Sequence, residues 1–461
     1  MFGFRAPSPR SRSLWSSSFV AAFLLGCNAL LGTEKPERMV GTAGQSEGGD
    51  AAEDDAGNAS DVEASAPLRQ PPPDVHCRGP WSKGSTDPTC KRRRTLAIQT
   101  DVREPTTLAI ERSRGGRTAI VFSSADGNGA NGNTLELVQF DNPQKPSTHS
   151  FGGGFRQYGA ATLAKWGEKN LLLAYHWVTA GQIDVVELGL NGPVRTEETI
   201  ATGLKTPTYL SLATNAASAA QVAYFDPTAA KLFSRGRKNA TDAWAARSEI
   251  DRDFVTDGLA GSGQVSLALD EIGNAHVGYH RADYRPSSQP KYKGRTSDAW
   301  GPSTIIDIGG GAVGYGIAFG IFQETRFAAY FGPGTSDQYR QLRFASWTGN
   351  SFPPVMLLDA NILVDDPLAP NTSVAMGVDS FGLVHLVTAT PVGYSSQIRY
   401  VRQAISDGKT IWLADTVDDL PVTKETSATL VGITVDEQSR PHIAYHSGAD
   451  NIVHYATIFD E

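Results

Sequence analysis

The chain has 461 residues, 40% of them hydrophobic and 20% charged, with 47 glycines, 26 prolines and three cysteines. Its net charge of −8 excludes a surface built chiefly for nucleic acid, which needs a basic face. Three cysteines are too few for a disulfide-dense scaffold, and no Cys-x-x-Cys or Cys/His spacing marks a metal or cofactor site.

Residues 1–26 read as a signal peptide. Arg5, Arg10 and Arg12 form a basic start, and Leu14 to Leu25 is an apolar, serine-bearing stretch. It is shorter than the roughly 20 residues that span a bilayer. The stretch ends Leu24-Leu25-Gly26-Cys27, which resembles the lipobox of bacterial lipoproteins. The resemblance implies that Cys27 is lipidated and tethers the chain to a membrane, at the bacterial outer membrane or cell surface. A plain secretory signal followed by an incidental cysteine is the other reading.

Residues 27–75 are rich in Gly, Ala, Ser, Pro and acids and poor in large apolar groups, so they predict a disordered acidic linker. Pro71-Pro72-Pro73 and the like charges keep such a spacer extended. The acids between Asp50 and Asp55 lack the alternating ligands, central glycine and terminal glutamate of a calcium loop. Residues 76–94 hold Cys77 and Cys90 in a short Gly/Pro-containing loop; in an oxidising compartment these two are expected to form a disulfide. The basic run Lys91 to Arg94 reads as a solvated turn.

From Thr95 onward there is no helical period. Short β-branched or alternating runs are separated by Gly, Asn, Asp and Pro, which predicts an all-β fold. Three segments align without gaps: LDEIGNAHVGYH (269–280), VDSFGLVHLVTA (378–389) and VDEQSRPHIAYH (435–446). In each, an aspartate (Asp270, Asp379, Asp436) precedes a histidine (His276, His385, His442) by six positions. Asp with a following Gly or Ser suits a tight hairpin turn, and the flanking runs suit its two strands. The end of the second strand recurs at Phe122, Tyr175, Tyr224, Tyr279, Tyr330, Thr388 and Tyr445. Third strands such as KLFSRGR and IVHYATI follow, then often a tryptophan (Trp244, Trp300, Trp347, Trp412) and a fourth strand such as STIIDI or VMLLD.

Four antiparallel strands in a unit of roughly 50 residues predict a blade, and residues 95–461 supply seven blades of a β-propeller. The last unit lacks a fourth strand, while TLAIQTDV (95–102) has no unit of its own. The two are therefore expected to pair, with 95–102 closing the ring against IVHYATI. The D-x-x-G-x-x-H-[VI]-x-Y pattern with a following R-[YF] and Trp resembles the repeats of extracellular bacterial propellers of the sialidase and BNR-repeat groups. The S-x-D-x-G-x-x-W box of sialidases is not present, so sialidase activity is not implied.

In a propeller, the loop after the second strand and the connector between blades share one face. Candidate ligand-binding residues there are His176, Trp177, Asp226, His280, Arg281, Asp283, Tyr284 and His446, a mixture of rings and charges suited to a sugar. The same histidines equally suit strand ends that hydrogen-bond neighbouring blades. His276, His385 and His442 read as structural, and the four tryptophans as packing between blades. No H-E-x-x-H or phosphate loop occurs. The expectation is a lipid-anchored envelope propeller that binds a glycan or an envelope protein without a cofactor. A glycoside hydrolase or lyase, with Asp226 or Asp283 acting at the funnel, and a structural scaffold are the alternatives.

Overall fold

The computed structural model describes Trp81 and, between gaps, residues 93–458; the larger gaps are 126–132, 152–157, 253–264, 281–288, 308–314, 364–372 and 422–429. Cys27, the linker, Cys77 and Cys90 lie outside the described residues, as do Arg281, Asp283 and Tyr284.

Strand β1 (Arg93–Gln99) comes first and stands apart from the unit that follows it. Blade 1 is β2 (Leu108–Arg112), β3 (Thr118–Ala125), β4 (Asn133–Phe140) and β5 (Ser147–Phe151). Blade 2 is β6 (Tyr158–Trp166), β7 (Asn170–Trp177), β8 (Gln182–Gly189) with a short arm β9 (Gly192–Pro193), and β10 (Glu198–Thr202). Blade 3 is β11 (Leu210–Thr214), β12 (Ala220–Asp226), β13 (Lys231–Arg237) and β14 (Ser248–Asp251). Blade 4 is β15 (Val265–Leu269), β16 (Ala275–His280) and β17 (Pro290–Thr296), with its outer edge split into β18 (Ala299–Trp300) and β19 (Thr304–Ile305). Blade 5 is β20 (Tyr315–Phe322), β21 (Thr325–Pro333), β22 (Tyr339–Trp347) and β23 (Val355–Leu363). Blade 6 is β24 (Ser373–Val378), β25 (Val384–Val392), β26 (Ser395–Ser406) and β27 (Lys409–Pro421). Blade 7 is β28 (Val431–Val435), β29 (Pro441–Ser447) and β30 (Ile452–Ile458), completed by β1.

All pairings are antiparallel, and the innermost strands touch in the order β2, β6, β11, β15, β20, β24, β28 and back to β2. The result is a seven-bladed β-propeller, as the repeat predicts. The closing strand also pairs where expected, with Ala97 opposite His454 and Leu96 opposite Tyr455. Its span is Arg93–Gln99, shifted slightly from the 95–102 read in the sequence.

The blades are made locally by their hairpins. In the turn 270–274, Asp270 Oδ1 accepts the Asn274 amide, while Gly273 takes φ 90°, which only glycine adopts without strain. The same turn recurs at Asp379 with Gly382 (φ 78°) and at Asp436 with Ser439 (φ 58°). The aspartate does a second job. His276 Nε2–H points to Asp270 Oδ2 at 3.4 Å, and His276 Nδ1 accepts from the Tyr292 hydroxyl at 2.8 Å. The Asp379–His385–Tyr400 and Asp436–His442–Tyr455 sets repeat both bonds. These histidines are buried within their blades, in keeping with the structural role read for them.

Burial pushes the His276 and His442 imidazoles below their ordinary pKa, only partly offset by the aspartates. Burial alone would raise the Asp436 carboxyl, but the bonds from His442 and Arg440 outweigh it and hold it well below the carboxylate range. The unfolded chain therefore takes up these imidazole protons first. The stability they contribute is full above about pH 6.5 and falls as the pH drops below it, by at most about 1.4 kcal/mol per pH unit for each imidazole. The melting midpoint is expected to fall between pH 7 and pH 5, and His442→Gln to make that fall shallower. Equal slopes for the two proteins would rule this origin out.

Between blades the packing is apolar, and each of the seven interfaces carries its own cluster. The blade 3–4 cluster, for example, joins Phe225, Leu232 and Ile250 to Val277 and Tyr279. Trp244 and Trp347 are buried in such clusters, and Trp300 and Trp412 pack against them, as read from the sequence. Near the axis the innermost strands come so close that a Cβ on Gly377 would meet Val435 Cγ2 at 2.7 Å. One aromatic comes from upstream of the ring: Trp81, 2% exposed, lies in the blade 6–7 cluster with its ring edge-on to Tyr400, 5.7 Å between centroids.

Among the described residues, a polar bolt accompanies the apolar packing at three interfaces. The hydroxyls of Tyr279, Tyr330 and Tyr445 donate to Asp251, Asp307 and Asp418 on the outer part of the preceding blade, at 2.6, 3.0 and 2.7 Å. Burial, reinforced by the aspartate charge, drives these phenols far above their ordinary pKa, so they stay protonated donors. The bolting aspartate has a fixed place. In β14 and β27 one residue is left out of the register, Ile250 or Val417, and the aspartate follows it.

Candidate functional site

The face predicted to carry ligand is formed where the second strands end. His176 ends up 0% exposed, and its Nε2–H donates to the Leu204 carbonyl at 2.8 Å. His446 is 2% exposed, and its Nε2–H donates to the Val102 carbonyl at 2.9 Å. Leu204 lies on the connector from blade 2 to blade 3 and Val102 on the connector from blade 7 to blade 1, so both imidazoles pin a crossover. Burial lowers the His176 pKa, with the Leu204 carbonyl and the Asp184 charge opposing it. His280 occupies the equivalent position in blade 4 and is 2% exposed. Trp177 is half-buried and packs against the blade 1–2 cluster. Asp226 Oδ1 accepts the amides of Thr228 and Ala229 in its own turn, and Oδ2 stands 3.9 Å from Arg247 Nη1. These described candidates belong to blades 2, 3, 4 and 7, and each is engaged at its own blade end or interface.

The axis holds a feature that the sequence reading missed. A cavity of about 280 Å³ is lined by the last residues of all seven innermost strands, toward the opposite face. One wall is polar. Glu111 accepts from the Thr434 hydroxyl at 2.5 Å and lies 3.9 Å from Lys165 Nζ, which donates to the Val435 carbonyl at 3.3 Å. The Thr214 hydroxyl bonds the Lys165 carbonyl. The other wall, from blades 4 to 6, offers Leu269, Ile321, Met376 and Val378. The Lys165 side chain is 40% exposed, so the pair is reachable from solvent. The only available signal was positional: these residues directly precede the hairpin turns.

A charged pair and hydroxyls facing an apolar wall can bind a small polar molecule with apolar patches. Among the described residues, Glu111 is the one acid and Lys165 the one base in the lining. Among the described residues, no group of three or more His, Cys, Asp or Glu is placed to hold a metal ion.

No family model matches the chain, and no curated protein matches its sequence. Solved structures do. The chain is similar to a polysaccharide lyase, a PL25 ulvan lyase, at 9% identity and a TM-score of 0.50, covering 78% of this chain and 95% of that one. It is also similar to the NanB sialidase of Streptococcus pneumoniae, at 11% identity and a TM-score of 0.42, covering 79% and 70%. What the ulvan lyase match shows is a shared fold. At such identities the likeness carries no residue of either enzyme's site into this chain.

Proposed function

We propose that this chain is a lipoprotein, anchored through Cys27 at the bacterial outer membrane or cell surface, whose propeller binds a glycan at its axis. The observation that carries the reading is the axial cavity. Its Glu111–Lys165 pair and threonine hydroxyls suit sugar hydroxyls, and its Leu269, Ile321, Met376 and Val378 wall suits the apolar faces of a pyranose. Arg281, Asp283 and Tyr284, outside the described residues, remain candidates for a second contact.

The full chain, purified in detergent, is expected to retain a subset of glycans on an array. Lys165→Met is expected to weaken them at least tenfold, which is about 1.4 kcal/mol, with an unchanged circular dichroism spectrum. An array on which nothing is retained, or binding indifferent to Lys165→Met, overturns the axial reading. Shortened oligosaccharides in the supernatant would convert the binder into a hydrolase or lyase. Labelled palmitate is expected to enter the wild-type chain and not Cys27→Ser.

A further inference from the structure

The bolts between blades have a gap. Residues after the outer-strand bulge occupy equivalent places around the ring: Asp251 after Ile250, Asp418 after Val417, and, in blade 2, Ala201 after Ile200. Where blade 3 presents Tyr224, in register with Tyr279 and Tyr445, blade 2 thus answers with a methyl group instead of a carboxylate. The rest of the bolt is intact. Arg235 Nη1 donates to the Ile200 carbonyl at 2.5 Å, just as Lys293 Nζ at the same register position of blade 4 donates to the Ile250 carbonyl.

The missing side chain leaves a space. A cavity of about 380 Å³ opens between blades 2 and 3, lined by Ala201, Tyr224, Arg235 and Arg247 among others, with Asp226 at its edge. No described carboxylate or carbonyl accepts the Tyr224 proton, in contrast to Tyr279, Tyr330 and Tyr445. Arg247 is 61% exposed, with its guanidinium 4.6 Å above the Phe233 ring. The one acid in the lining is Asp226, whose Oδ1 is committed to its turn and whose Oδ2 is 3.9 Å from Arg247. Asp184, nearby in blade 2, already accepts from Thr199 and Gln182. Two arginines against one aspartate leave the slot short of negative charge.

The geometry points to a carboxylate-binding site at the blade 2–3 interface. The ligand's carboxylate takes the place that Asp251, Asp307 and Asp418 fill elsewhere, accepting from the Tyr224 hydroxyl and pairing with Arg247. A cavity of this size accepts a compact acid, either a free organic acid or an acidic monosaccharide. The site is separate from the axial cavity and stands or falls independently of it.

Titration calorimetry with the full chain tests this, using acetate, D-glucuronate and D-glucose as probes. At least one of the two acids is expected to bind, and glucose is not. Binding of both acids identifies the carboxylate alone as the determinant; binding of glucuronate alone identifies an acidic sugar. Arg247→Gln and Tyr224→Phe are each expected to weaken the acid at least tenfold. Ala201→Asp supplies the missing carboxylate in cis, so it is expected to abolish acid binding while raising the melting midpoint of the unliganded chain. Lys165→Met at the axis is expected to leave acid binding unchanged. If neither acid binds at millimolar concentration, or if Ala201→Asp and Arg247→Gln both bind acid as wild type does, the proposal is wrong.

Discussion

Deleting residues 93–99 will leave blade 7 with three strands and prevent the ring from closing. Strand β30 would lose its antiparallel partner along Val453 to Ile458, exposing a row of amides and carbonyls ready to pair with another chain. The blade 7–1 cluster would lose Leu96 and Ile98. Burial of two such side chains contributes about 3–6 kcal/mol, before the strand pairing is counted. The expected result is a loss of the cooperative melting transition, with oligomers that grow with concentration in light scattering. A deletion protein that stays monomeric and melts like the intact chain would show that blade 7 is stable with three strands.

Trp81→Ala has the second largest expected effect. Trp81 is buried among Val387, Tyr400, Val431 and Tyr445, between the last two blades. Removing a buried tryptophan costs about 3–5 kcal/mol, because the hole does not fully collapse. At about 2.1 cal/mol/K per residue, a ring of this size melting as one unit would lose roughly 4–6 °C. Trp81→Phe should recover part of this, since it keeps a ring against Tyr400. If Trp81→Ala melted within a degree of wild type, the upstream segment would have no part in holding blades 6 and 7 together.

The sequence made the ring legible because its signals are local. Asp270 and His276 are six residues apart and meet inside one hairpin, so their spacing survives in every copy that uses them. The second-strand aromatics mark six of the seven blades for a similar reason: one register position repeats around the circle, filled by Thr388 in blade 6. What stayed hidden is the chemistry between units. Tyr445 and Asp418 are in different blades, and nothing in a linear string says that an outer strand faces the following blade's second strand. The same holds for the axial cavity, whose seven contributors are scattered across the whole domain. His176 and His446 illustrate the opposite hazard. A histidine at a strand end beside a loop reads as a ligand contact, yet both imidazoles spend their Nε2–H on a connector carbonyl. Ala201 gave no signal at all, because its meaning is the acid it lacks, visible only once the bulges of three outer strands are superposed.

The seam between β1 and β30 also governs when the molecule can exist. His446 and Val102, bonded across it, are separated by 344 residues. Contacts this distant slow folding, since the chain must be searched end to end before they form. Translation delivers the first strand long before its partner, so a nascent copy has no completed circle until β30 has been made. Unfinished copies would carry both an orphan leading strand and an orphan trailing edge, the state in which a polypeptide can still be threaded through a narrow pore and in which holdase chaperones find the most to grip.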